Sequence, residues 1–385
     1  MPKDINSEEY DAGTKLKLEI LSRYVCEWLQ VMINNNFLKT FYIYDFFAGS
    51  GTDSIGCPGS PIVILNHVIK ICSKLRYKDK MVELVFNDND SGKIETLKIK
   101  CKELIEQNCA KSKGCHYFSE NRCSIINIRF ENKDFKNLFA EEYKKLCAIT
   151  NPYCFMFIDQ YGIKEVDTST FAILSSLKHT DILFFTSTAH AARFSKTEGF
   201  QKPLGLSDGF EWNENYHRDL CQHYASLIPK NSEFHVAPFS IKKEDTGMIC
   251  GLIFGSNHLY GIEKFLIVAW KKDALTGEAN YDIDDDDIHP DSPTLFDELY
   301  KPRKLDRFKE NLKKFLYLEK TNNEIYKFTI LEGFLPSHAN QILKEMEKEK
   351  LLTITAHRGN IRKGAYYISH DEIERVRILY EQHKN

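Results

Sequence analysis

The stretch FYIYDFFAGSGT, residues 41–52, decides the fold. Apart from Asp45, its first seven residues are aromatic or β-branched, the composition of a buried strand, and Gly49, Ser50 and Gly51 end that run sharply. Upstream, residues 15–37 place Leu18, Leu21, Val25, Trp28 and Met32 at spacings of three and four, which predicts an amphipathic helix. Downstream, the next helix is expected from Ser60 as N-cap and Pro61 at the first helical position, where its missing N–H costs nothing, to about residue 75. Strand-like runs follow at 81–86, 125–130, 154–158 and 181–186, with a helix over 91–107. Two later strands, 234–238 and 248–254, and a helix at 261–271 complete the sheet with an antiparallel addition. Strands alternating with helices predict an α/β fold with a parallel sheet.

Polar residues collect where these strands stop, and in an open parallel sheet the carboxyl ends line the ligand crevice. Gly49 and Gly51 let the backbone approach a ligand closely. The turn is not a dinucleotide fingerprint, because Ser54 stands three residues after Gly51 and about ten residues separate the turn from the next helix. Asp45, just before the turn, suits a ligand with a cationic amine, such as the methionine moiety of S-adenosylmethionine (SAM). Asp88 ends the second strand, where a carboxylate accepts both hydroxyls of a ribose; Asn87 and Asp90 are alternatives for that role. Asp134, in ENKDF after the third strand, is either an acceptor for an adenine amine or the N-cap of the next helix. At the fourth strand's end, Asp159 and Tyr161 are the candidate catalytic pair: a carboxylate to position a methyl acceptor and a ring to stack on it, or else Asp159 only caps the loop. His258, in Ser256-Asn257-His258, and His190 with Arg193 are weaker candidates. Three acidic strand ends in register with a glycine turn point to SAM as cofactor.

The order KLEILSRYVCEWL, YIYDFFAGSG, GSPIVIL, VFNDND, FMFIDQYG, LIFGSNHLYGIEKF and VAWKKD, spread over about residues 14–275, resembles the three-Cys-motif partner protein (TcmP) family of bacterial proteins. The resemblance implies a class I methyltransferase (Rossmann-like) domain and a partner protein bearing a three-cysteine motif. Where that family commonly has Asp-Pro-Phe-Gly, this chain has Asp159, Gln160, Tyr161 and Gly162, so it departs from the amine-methylating pattern at Gln160.

The C-terminal part reads differently. Residues 322–333, 336–350, 352–356 and 365–369 predict helix, turn, helix and a two-stranded wing, a winged helix-turn-helix. Ala339, Ile342, Leu343 and Met346 form the buried stripe of its second helix, leaving His338, Asn340, Gln341, Lys344 and Lys348 outward. Lys344 on that helix and Arg358, Arg362 and Lys363 on the wing turn are the candidate nucleic-acid contacts. Docking of a protein partner is the competing use, and Glu345, Glu347 and Glu349 support it.

Charge separates the two parts. The chain of 385 residues carries a net −3, yet residues 301–385 hold 18 Lys+Arg against 12 Asp+Glu, so the tail is basic and the remainder acidic. The seam is the run of Asp282 and Asp284 to Asp287, followed by Pro290, Pro293 and Pro302. The expected domains are 1–280 (SAM-methyltransferase-like), 281–303 (linker) and 304–385 (winged helix). The polar, acidic start and the lack of any long apolar run predict no membrane segment and a cytoplasmic protein, in which 11 cysteines are buried thiols. Cys109, Cys115, His116 and Cys123 lack the CxxC pairs of structural zinc, so no metal is expected. The leading function is SAM-dependent methyl transfer on or with nucleic acid, together with the three-Cys-motif partner. The alternative is a catalytically inactive scaffold that binds nucleic acid or the partner; a nicotinamide oxidoreductase is disfavoured because GxGxxG is absent.

Overall fold

In a computed structural model, residues 8–109, 123, 125–194, 197–206, 212, 215–285, 303–359, 362 and 364–381 are described. The run around Asp45 forms β1 (Thr40–Asp45), the middle of a seven-stranded sheet ordered β3-β2-β1-β4-β5-β7-β6. Its other members are β2 (Met81–Asn87), β3 (Ile126–Glu131), β4 (Tyr153–Ile158), β5 (Thr180–Thr186), β6 (His235–Lys242) and β7 (Ile249–Ser256). The first five run parallel, and β7 is antiparallel to both β5 and β6. Asp45 lies level with Phe86 on one side and Phe157 on the other, so the three strands end together. The chain builds outward from β1 to β3 and then returns to place β4 on the opposite side, which opens a crevice above β1 and β4. Strand order, parallel core and antiparallel β7 make this the class I methyltransferase-like α/β fold expected from the sequence.

Both faces of the sheet are covered, as near-continuous apolar strands require. Tyr44, Met156, Ile182, Phe184 and Ile253 pack with α4 (Phe135–Ala148), α5 (Thr168–Ser176) and α8 (Tyr216–Ser226) through Leu138, Phe139, Phe171, Leu174 and Tyr224. The alternate residues Phe41, Phe155 and Phe254 meet Tyr24 and Trp28 of α1 (Ala12–Asn34). The remaining helices of this part are α2 (Ser60–Tyr77), α3 (Ser91–Cys109), α6 (Thr188–Phe194) and α7 (Glu198–Leu204). Gly59, rather than Ser60, is the N-cap of α2, and Ser60 is already helical.

Contacts divide the chain into two units, Met1–His258 and Leu259–Asn385. The second contains α9 (Leu259–Lys272), α10 (Arg303–Phe315), β8 (Lys320–Thr321), α11 (Asn322–Leu331), α12 (Pro336–Lys348), β9 (Leu352–Ala356) and β10 (Val376–Tyr380), with the small sheet ordered β8-β10-β9. This is a winged helix-turn-helix preceded by a helix. Trp270 of α9 donates its indole N–H to Gly333 O at 3.0 Å, and Phe308 of α10 stacks on Phe334 at 4.0 Å. Thr321 and Glu324 close a reciprocal cap at the start of α11.

One expectation fails in the wing. Its second strand is Val376–Tyr380, not 365–369. Tyr366 and Ile368 are buried in alternation and so imitate a strand, but Tyr367 between them takes φ 54°, which breaks it. Asn322 instead donates to Tyr367 O and Ile373 O and accepts from Arg375 N–H, which fixes this segment as a loop and delivers β10 to its partners.

Candidate functional site

The crevice begins at Asp45. This side chain is fully buried at the end of β1, where Oδ1 accepts from Phe47 N–H at 3.3 Å and Oδ2 has no hydrogen-bond partner. Burial pushes its carboxyl up to about 7; the neighbouring Ser60 hydroxyl opposes that rise, while the negative charges of Asp159 and Asp88 add to it. A buried acceptor without a donor marks a place where a cationic ligand group would be held. The backbone after it is hung between the flanking strands: Phe46 N–H donates to Phe157 O at 3.1 Å and Ala48 N–H to Asn87 O at 2.8 Å. Gly49 and Gly51 then take φ 61° and 88°, the left-handed region that favours glycine. At Gly51 a Cβ would also stand 2.8 Å from Leu97 Cδ1, so the turn is closed to larger residues on two grounds.

Asp88 follows β2 and accepts Gly49 N–H on Oδ2 at 3.0 Å and Asp90 N–H on Oδ1 at 2.9 Å. It therefore joins the second strand's end to the glycine turn. The two alternatives for its role are likewise bonded to backbone groups. Asn87 is buried and bonds Phe46 O, Lys133 O and Lys133 N–H, whereas Asp90 takes the N–H groups of Gly92 and Lys93 at the start of α3. Asp134 is the N-cap of α4, accepting from Lys136 and Asn137 N–H through Oδ1. Phe135 beside it stacks on Phe47 at 5.4 Å, so a pair of rings closes the β1 and β3 side of the crevice.

On the other side, β4 delivers Asp159. Its carboxylate is held by Lys17 of α1, a nearly buried ammonium that also lies 4.7 Å from the centre of the Phe185 ring. Sequence reasoning missed Lys17. The signal was present, since Lys17 precedes Leu21 by four and Tyr24 by seven residues on the buried stripe of α1, where a lone cation needs a partner. Gln160 is turned inward: its amide donates to Phe185 O and its carbonyl accepts Glu165 and Val166 N–H. Tyr161 stands 74% exposed on the following loop. Thus Asp45, Gly49, Gly51, Asp88 and Asp159 gather about one crevice, Asp134 sits at its rim, and Tyr161 points outward.

His258 belongs elsewhere. Because β7 is antiparallel, its Ser256 end lies level with Asp181 at the amino end of β5, while Gly251 lies level with Thr186 at the carboxyl end. Ser256-Asn257-His258 is therefore at the edge of the sheet away from the crevice. Arg193 is exposed on α6.

The winged unit presents a separate surface. Lys344 and Lys348 are exposed on α12, and Arg358 and Arg362 are exposed on the wing segment; Lys363 lies outside the described residues. His338 does not face outward as expected. Its ring lies 4.3 Å from that of Trp270, its Nδ1 accepts Leu335 N–H, and burial with the nearby Lys304 charge lowers its pKa to about 4. Arg375 and Arg377 are paired with Glu372 and with Glu374 and Glu319.

Cys115 and His116 of the considered metal set lie outside the described residues; among those described, no group of three or more His, Cys, Asp or Glu side chains could hold a metal ion. No described helix is long and apolar enough to cross a membrane.

Residues 280–358 match the family of the GMT-like wHTH domain, which agrees with the winged helix seen there. No curated protein matches the chain. Among solved structures the chain is similar to the O-methyltransferase from Bacillus cereus in complex with SAH, at 11% identity and TM-score 0.32 over 61% of this chain and 79% of that one. It is likewise similar to loganic acid methyltransferase with SAH, at 10% identity and TM-score 0.32 over 70% of this chain and 84% of that one.

Proposed function

We propose that the protein binds SAM in the crevice above β1 and β4 and transfers its methyl group to an acceptor on, or presented with, nucleic acid bound by the winged unit. The observation that carries this reading is the buried, donor-less Oδ2 of Asp45 beside a left-handed glycine turn tied to Asp88. Asp45 would hold the cationic amine, Gly49 and Gly51 would admit the ligand against the backbone, Asp88 would accept the ribose hydroxyls, and Asp134 with Phe135 and Phe47 would border the adenine. Bound SAM supplies an electrophilic methyl, so the protein needs to orient and desolvate the acceptor rather than activate the donor. Lys344, Arg358, Arg362 and Lys363 would contact phosphates, and the three-Cys-motif protein of the resembled family would be the partner.

Calorimetric titration of SAM into the purified protein tests the reading. Saturable binding is expected, weakened about tenfold to a hundredfold in Asp88→Ala, since a hydrogen bond to a charged group is worth about 1.5–3 kcal/mol. No binding at millimolar SAM would overturn it. The second reading, a non-catalytic scaffold, draws on the occupation of Asp159 by Lys17. Labelled methyl incorporation into DNA, RNA or the partner separates the two, because a scaffold binds without turnover.

A further inference from the structure

Four polar groups, Asp159, Gln160, Thr186 and the Lys17 ammonium brought by α1, stand at the end of β4 and β5 where a methyl acceptor would enter, and all but Thr186 are already committed within the chain. Gln160 spends both ends of its amide on Phe185 O and on Glu165 and Val166 N–H. Asp159 accepts from the Lys17 ammonium through Oδ2. The hydroxyl of Thr186, the last residue of β5, is buried without a hydrogen-bond partner. An amine acceptor needs free oxygen acceptors for its N–H groups, and a lone carboxylate at this place would serve. Here the carboxylate is neutralised by a nearly buried ammonium that also lies over the Phe185 ring, so the feature fixed at this place is an ion pair rather than a free carboxylate.

Building on the reading of the crevice as a SAM site, we propose that Lys17 is a specificity-determining residue: paired with Asp159, it makes the acceptor end of the crevice charge-neutral and selects an oxygen nucleophile, a hydroxyl or carboxylate, over an amine. The ammonium N–H groups hold the acceptor oxygen by a lone pair, which a protonated or neutral amine cannot offer while also attacking. For a hydroxyl acceptor the O–H bond breaks as the O–CH3 bond forms, sulfur regains the electron pair of the broken S–C bond, and the proton passes to solvent water; a carboxylate acceptor has no proton to lose.

The test is a double-mutant cycle read by calorimetry with three cofactor analogues: SAM and sinefungin, which are cationic near the transferred group, and S-adenosylhomocysteine (SAH), which is neutral there. Lys17→Met leaves Asp159 uncompensated and shifts the SAM:SAH affinity ratio toward SAM by about tenfold; Asp159→Asn leaves Lys17 uncompensated and shifts it toward SAH by about as much, as expected for unit charges a few ångströms apart. Sinefungin follows SAM. The double variant Lys17→Met with Asp159→Asn returns the ratio to the original, as does Lys17→Arg, which keeps the charge. Absorbance titration of the SAH complex with 4-nitrophenol and 4-nitroaniline then reads acceptor class: the phenol binds with a lowered apparent pKa that Lys17→Met abolishes, and the aniline does not compete. Unchanged ratios in both single variants, or preference for the aniline, overturn the proposal while leaving SAM binding intact. Failure of all three analogues to bind the unmodified protein overturns the underlying reading instead. Thermal unfolding of each variant confirms that the protein titrated is folded.

Discussion

At the scale of single residues, Asp45 is the group whose chemistry is most altered by its surroundings. Burial lifts its carboxyl from 3.8 to about 7, so the folded protein keeps a proton that the unfolded chain releases above about pH 4. Its contribution to stability is therefore present at low pH and lost as pH rises toward 7. Asp45→Asn should melt at a higher temperature than the unmodified protein at about pH 8 and at nearly the same temperature at about pH 4. A cationic ligand reverses the preference, since it favours the ionised carboxylate. SAM affinity should rise between about pH 6 and pH 8, and calorimetry on Asp45→Asn should show that rise abolished. Gly251 poses a packing question instead. A Cβ there would lie 2.3 Å from His217 Cε1 and 3.0 Å from Thr188 Oγ1, both buried. Gly251→Ala should cost about 1–3 kcal/mol of stability by urea denaturation, because the added methyl would overpack two buried side chains; a neutral result would mean that the imidazole can shift.

At the scale of elements, the loop after β4 is held by one side chain. Gln160 makes three hydrogen bonds from a position that is 1% exposed. Gln160→Ala would orphan the N–H groups of Glu165 and Val166 and should cost about 1–3 kcal/mol in denaturant unfolding, with faster amide exchange at 165 and 166. The turn between α11 and α12 is fastened similarly. His338 is neutral there, with its pKa lowered from 6.5 to about 4 by burial and by Lys304. Because the folded value is depressed, the stability it contributes is present above about 6.5 and is lost as pH falls toward 4. Its imidazole resonances should stay unprotonated in NMR titration until about pH 5, and a normal midpoint would show that the ring is not packed against Trp270.

At the scale of the whole molecule, the question is which of two charge balances each unit uses. Overall charge is only −3, but the basic excess lies in the winged unit. There, Arg375 and Arg377 are neutralised by glutamates, whereas Lys344, Arg358 and Arg362 project from α12 and the wing. Replacing those three by Glu should reduce duplex DNA affinity and lower the slope of log K against log salt by roughly 2 to 3, as each lost phosphate contact removes about 0.9. SAM affinity should be unchanged in the same protein. Fluorescence anisotropy with a salt series checks this, and an unaltered slope would assign the winged helix to protein docking.

The sequence by itself determined the alternation of elements, the parallel core, the glycine turn and the acidic strand ends at Asp45 and Asp88, because apolar periodicity and turn chemistry are local properties that a chain carries with it. It also placed α11, α12 and β9. Only tertiary structure decided between readings that share the same local pattern. Residues 365–369 alternate like a strand, yet the bonds from Asn322 and the pairing of β10 with both β8 and β9 make them a loop. His258 follows a strand like the other candidates, yet the direction of β7 carries it to the opposite end of the sheet. Lys17 and Asp159 are separated by 142 positions, and their pairing exists only because α1 packs over β4. Strand direction, long-range pairing and charge compensation depend on which segments meet in space, and no window of sequence contains both partners.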